Sequence, residues 1–141
     1  MFRIFPMLLV PIIAYALIAA VNGIASHDVM EKYLQHYSSF HMFSGETWDF
    51  TLSDLLILIA LGCLFIEVVK STRTSRRELI NHALSAVVFV IALVLFIVSK
   101  AFSTSAFFFI VVMAAFDVVA GYTIGVVAAE HDLGMGKAGT D

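Results

Sequence analysis

Four long apolar runs constrain this chain more than any other feature. They cover residues 4–25, 52–69, 79–98 and 106–129. Each holds about 18–24 residues, roughly 27–36 Å as an α-helix, which matches a ~30 Å hydrocarbon core. A backbone crossing lipid must satisfy its own N–H and C=O groups, so only helices or closed barrels span. The runs are apolar on all sides and lack a two-residue alternation, which favours helices over barrel strands. The expected fold is all-α: an integral membrane four-helix bundle in one domain, residues 1–133, followed by a polar tail, residues 134–141.

Composition agrees. Apolar residues make up 61% of the 141-residue chain and charged residues 13%, and mean hydropathy is +0.98. A soluble domain of this size needs far more polar surface. The net charge of −3 leaves no basic stripe for a phosphate backbone, so nucleic acid is not an expected partner. The lipid bilayer is. The single cysteine, Cys63, excludes a disulfide scaffold.

The first run follows Arg3 and has the look of a signal peptide, but it is longer than a usual signal core and has no clean small-x-small site near Ala20-Val21-Asn22. It is read as a retained helix. Pro6 sits near its start, and Pro11 is expected to kink it. Ser53 and Asp54 are placed to cap the second helix. A short turn over residues 101–105 makes the third and fourth helices an antiparallel hairpin. The Gly-rich tail is expected to be weakly ordered.

Six of the eight Lys and Arg residues (Arg3, Lys70, Arg73, Arg76, Arg77, Lys137) fall on one side of this arrangement and two (Lys32, Lys100) on the other. The positive-inside bias then puts both termini and the 70–78 linker in the cytoplasm. The outer segment carries a helical pattern over residues 28–43. Met30, Tyr33, Leu34, Tyr37 and Phe40 share one face, and Asp28, Glu31, Lys32, Gln35 and His36 the other. The pattern predicts a short amphipathic helix in the interface, with Trp48 and Phe50 anchoring the second helix.

Asp117 is the leading candidate for chemistry. It lies mid-way along the fourth helix, where a carboxylate costs about 2.5–3.5 kcal/mol to insert. No Lys or Arg lies mid-span to pair with it. Tyr15, Ser85, Tyr122 or a backbone carbonyl are the candidate partners, and the group serves either as a proton site or as interhelical glue. A second cluster follows from depth. The linker centred near residue 74 puts Glu67 level with His82, and the turn near residue 102 puts His82 beside Tyr122. Glu67, His82 and Tyr122 are expected to meet, as a proton-entry group or as a satisfied polar set. On the outer side, His27, Glu31, His36 and His41 are weak metal candidates, since their spacing is not a ligand motif. Gly121 and Gly125 form a small-xxx-small pair that permits close helix packing. The Phe107-Phe108-Phe109 run is expected to face lipid or protein.

No Walker, dinucleotide or Cys-x-x-Cys motif is present, so neither a cofactor nor an enzyme activity is expected. The stretches Glu67-Val-Val-Lys-Ser-Thr-Arg-Thr-Ser75, Thr104-Ser-Ala-Phe-Phe-Phe109 and Phe116-Asp-Val-Val-Ala-Gly-Tyr-Thr-Ile124, with the tail Glu130-His-Asp132, resemble a group of small, uncharacterised four-helix bacterial inner-membrane proteins. The resemblance covers roughly residues 50–133. It implies a bacterial inner membrane and no particular chemistry. Three function classes remain open. The first is an accessory or assembly subunit of a larger membrane complex, partnered by other membrane subunits or by copies of itself. The second is a small oligomeric proton-coupled transporter or channel using Asp117. The third is an outer-face metal or ligand sensor.

Overall fold

A computed structural model describes the backbone over residues 5–71 and 76–137, and the side chains over residues 5–71 and 80–127. The order is α1 (Leu9–Val21), α2 (His27–Leu34), β1 (Tyr37–His41), β2 (Thr47–Thr51), α3 (Leu52–Ser71), α4 (Arg76–Val98), a 3-10 turn (Lys100–Phe102) and α5 (Ser105–Lys137). The chain is mostly helical. Three helical stretches, Leu52–Ser71, Ile80–Val98 and Ser105–Val127, are long and apolar enough to cross a membrane. α5 is the central element, packed against both α3 and α4, while α1 lies on α3 and α5. Most of the basic residues behind the topology argument (Arg3, Arg73, Arg76, Arg77 and Lys137) lie outside the described residues or side chains.

The first apolar run is a shorter helix than expected. Of residues 4–25, only Leu9–Val21 are helical, 13 residues in all, or about 20 Å at 1.5 Å per residue. Pro11 is the third helical residue, where the amide it lacks would have no intrahelical acceptor. It belongs to the helix start and not to the expected mid-helix kink. The far end is a Schellman stop. Gly23 takes a positive φ of 60°, Gly23 N–H donates to Ala20 O at 3.2 Å, and Ile24 N–H donates to Ala19 O at 2.8 Å. Asn22 Nδ2 also donates back to Ile18 O at 2.8 Å. Leu8, Pro11, Ile12, Tyr15 and Ala19 form the buried stripe of this helix, at the three- and four-residue spacing of one helical face.

The outer segment corrects the all-α expectation. The helix predicted over residues 28–43 stops at Leu34, and residues 37–51 form an antiparallel hairpin with Phe40 opposite Trp48 and Ser38 opposite Phe50. The spacing of Tyr37 and Phe40 fits a helix, but the Ser-rich, aromatic sequence has low helix propensity. Thr47-Trp-Asp-Phe-Thr51 alternates at the two-residue period of a strand. Gly45, at φ 89°, closes a three-residue loop in which Gly45 N–H donates to Met42 O at 3.0 Å and Met42 N–H to Glu46 O at 2.9 Å. Trp48 meets Phe50 edge-to-face at 5.5 Å and lies 6.3 Å from Phe40.

β2 runs directly into α3 through a capping box. Thr51 N–H and Oγ1–H donate to Asp54 Oδ2 at 2.9 and 2.7 Å, and Asp54 N–H donates to Thr51 Oγ1 at 3.2 Å. Thr51 is the cap and Asp54 reaches back from the third position, an arrangement worth about 1 kcal/mol. At the other end of the bundle's length, α5 runs past the expected stop near residue 129 to Lys137, so the tail is helical well beyond Gly134. Residues 138–141 lie outside the described set.

Tyr15 joins α1 to the turn between α4 and α5. Its hydroxyl donates to Ala101 O at 3.0 Å and meets Thr104 Oγ1 at 2.6 Å. Thr104 Oγ1 in turn accepts Phe107 N–H at 3.3 Å, capping α5. With Thr104 donating to Tyr15, every member of this relay has a partner. Phe102 and Phe107 pack on the Tyr15 ring at 5.3 and 4.8 Å. Phe107 is therefore interior, fully buried, whereas Phe108 and Phe109 are outward. The ~100° turn per residue splits the run that was expected to face outward as a unit. Tyr15→Phe keeps the ring and strands Ala101 O and the Thr104 hydroxyl. It should lower stability by about 1–3 kcal/mol, read as an earlier unfolding midpoint in mixed-micelle titration.

Candidate functional site: a buried polar cluster between α3, α4 and α5

The buried stripes of the three long helices are polar at one end only. α3 buries Leu56, Ala60, Cys63, then Glu67 and Ser71. α4 buries Ala92 and Val88, then Ser85 and Asn81. α5 buries Phe107, Ile110, Val111 and Ala114, then Asp117 and Gly121. Each apolar stripe turns polar as it approaches the α3–α4 connection.

Glu67, with no exposed surface, is the hub. Its carboxylate accepts Met7 N–H at 3.0 Å, the Lys70 ammonium at 3.2 Å and the Asn81 amide, which sits very close to it. Lys70 also donates to Phe5 O at 3.0 Å. One carboxylate thus ties the segment leading into α1 to both α3 and α4. Charge-assisted bonds of this kind are the strong ones, and a carboxylate with three donors is well satisfied even when buried.

The expected trio of Glu67, His82 and Tyr122 does not form. Tyr122 is 74% exposed and points away from the bundle. Glu67 bonds to Asn81, one residue before His82. The depth argument found the right level, but one residue is about 100° of rotation. His82 is half-buried, its Nδ1 is buried with no hydrogen-bond partner, and its ring lies on Gly121 so closely that a Cβ there would collide with the imidazole. The small-xxx-small pair is thereby divided. Gly121 serves contact within the chain, and Gly125 has open space beside it.

Asp117 is 1% exposed. Of the partners expected for it, Ser85 lies against its carboxyl across the α4–α5 contact, though Ser85 Oγ is outside hydrogen-bonding geometry. Tyr15 is engaged at the far end of the bundle, and Tyr122 is outward. Glu67, His82 and Lys70 are near enough to act on Asp117 electrostatically. Three buried atoms in this region lack a partner: Asn81 Oδ1, His82 Nδ1 and Ser85 Oγ. Buried polar groups without a partner are costly, and these three lie beside the two acids. Asn81 was missed by sequence reading. Its signal was its place on the Ser85–Val88–Ala92 face of α4.

The outer-side candidates do not converge. His27 Nε2 meets Glu31 at 3.0 Å one turn along α2, and its Nδ1 lies 3.5 Å from Ser103 Oγ. His36 follows α2 and His41 ends β1. Among the described residues no three His, Cys, Asp or Glu side chains are grouped to hold a metal ion. Comparisons of the chain with protein-family models, curated proteins and solved structures find no match.

The Gly121–His82 contact gives a direct test. Gly121→Ala should lower stability by about 1–3 kcal/mol through overpacking. Adding His82→Ala should restore most of it. The coupling is read from a double-mutant cycle on detergent-solubilised protein.

Proposed function

We propose that this chain is a non-catalytic accessory or assembly subunit of a larger membrane complex, integral to a bacterial inner membrane, with four apolar helices and both termini cytoplasmic. The observation that supports this reading is the one-sided interior. Among the described residues the buried side chains from Asp117 to the Tyr15–Thr104 joint are Ala, Val, Ile, Leu, Pro, Cys and Phe, so one copy offers no polar route through that stretch. The acid cluster fastens helices together, and the outward faces carry large apolar side chains such as Phe65, Ile97, Phe116 and Val119. Helices in lipid associate by packing and interhelical hydrogen bonds, and outward apolar faces suit lipid and neighbouring helices alike.

The partnerless atoms around Asp117 favour a second reading, an oligomeric proton-coupled transporter. The two readings separate on Asp117→Asn, which keeps hydrogen bonding and removes titration. For a structural acid, the variant should insert and assemble as the parent does, with unchanged proton flux in reconstituted vesicles. Native mass spectrometry in mild detergent should show a heteromeric complex of fixed stoichiometry. Flux present in the parent and lost in Asp117→Asn at equal insertion, with only homo-oligomers detected, would replace the subunit reading with the transporter.

A further inference from the structure

An open groove of about 1090 Å³ lies on the opposite end of the molecule, between α2, the hairpin and the first turn of α3. Val29 and Tyr33 of α2 form one wall, Tyr37 and Phe50 of the hairpin the other, and Leu52 and Leu55 the floor. Lys32 and His36 stand at its polar side. Neither side chain is bonded to another described residue: the nearby acid Glu31 is held by His27, and Asp28, one turn before Lys32, makes no ion pair with it. The groove therefore offers an ammonium with no ion-pair partner among the described residues and an imidazole, above an apolar floor.

The floor does not end at the groove. Leu52 and Leu55 begin the apolar stretch Leu52–Ser71, and Leu55, Ile59, Gly62, Ile66 and Val69 continue along one outward face of α3. Their spacing is that of a single helical stripe. Gly62 has nothing within contact distance of the place its side chain would occupy, which leaves a shallow notch in the middle of the stripe. A cationic head end joined to a linear apolar track matches one kind of molecule, a chain-bearing anion.

We propose that the groove binds an anionic phospholipid, with the phosphate at Lys32 and His36 and one acyl chain running from Leu52 and Leu55 along the α3 stripe. This rests on membrane integration and not on the subunit role. A lysine near a lipid surface favours anionic headgroups by about fivefold in affinity, and the aromatic walls suit headgroup depth.

The test uses the full chain purified in mild detergent and offered equal amounts of phosphatidylglycerol and phosphatidylcholine, with retained lipid counted by native mass spectrometry. Phosphatidylglycerol should be retained about fivefold over phosphatidylcholine. Lys32→Gln with His36→Gln should abolish the preference, and Lys32→Arg should keep it. A bulky side chain in the track, Gly62→Phe, should lower retention of both lipids together. Equal retention of the two lipids by the parent, or a preference that survives in the Lys32→Gln/His36→Gln protein, would overturn the proposal. Vesicle flotation of each variant reports insertion separately, so a failure of membrane integration is distinguishable from a failure of the groove.

Discussion

The Glu67 carboxylate is the interaction on which the arrangement of helices depends. It is the most buried acid in the described chain, and three donors reach it: a backbone amide from the segment before α1, an ammonium from its own helix and an amide from α4. Without those donors a carboxylate at this position would be neutralised or expelled. With them, it fixes where α1 begins. Lys70 repeats the tether by holding Phe5 O. α1 is then fastened a second time, by Tyr15, to the turn between α4 and α5. The thirteen residues of α1 span about 20 Å, short of ~30 Å of hydrocarbon, so a crossing by this run would use the non-helical residues on either side, and the two polar joints hold α1 in place along the longer helices.

The length of the apolar runs made the three long helices legible, and their limits were close except at the end of α5, which continues to Lys137. The first run shows why length alone misleads. Its apolar side chains continue beyond Val21, but Asn22-Gly23 supplies a helix stop whose geometry needs a residue free to adopt positive φ. The outer segment failed for another reason. Tyr37 and Phe40, three residues apart, follow the helical period and not the strand's two-residue period, and only Ser44-Gly45 and the alternation from Thr47 to Thr51 point to the hairpin.

The candidate site was legible in level and not in rotation. Counting from the connections put Glu67 and His82 at one level, and the mid-helix position of Asp117 marked it as a group that must face the interior; Glu67 and Asp117 are buried and His82 is half-buried. Counting could not say which residue of a helical turn faces which neighbour. Asn81 and not His82 reaches Glu67, and Tyr122, one residue past the buried Gly121, points outward. These errors have one origin: neighbours in sequence stand ~100° apart on a helix, and hydropathy is nearly uniform around these helices. The Phe107–Phe109 run divides for the same reason.

Asp117 also limits what an oligomer could do with this interior. A pathway shared between copies must run along surfaces where the copies meet. Asp117 is enclosed by the helices of its own chain, 1% exposed, and Ser85 beside it is 3% exposed. A neighbouring copy packed on the outward faces would touch Phe116, Val119 and Tyr122 before it reached the acid. A proton that arrived at Asp117 from the Glu67 side would meet Ala114, Val111 and Ile110 ahead of it and would leave by the way it came. The Glu67–Asn81 contact also joins α3 to α4 at this level, so opening a path between these helices would cost that bond. The bonds that make Glu67 tolerable in an apolar interior also oppose its use as a conduit, and on the subunit reading proposed above the working surface is the exterior.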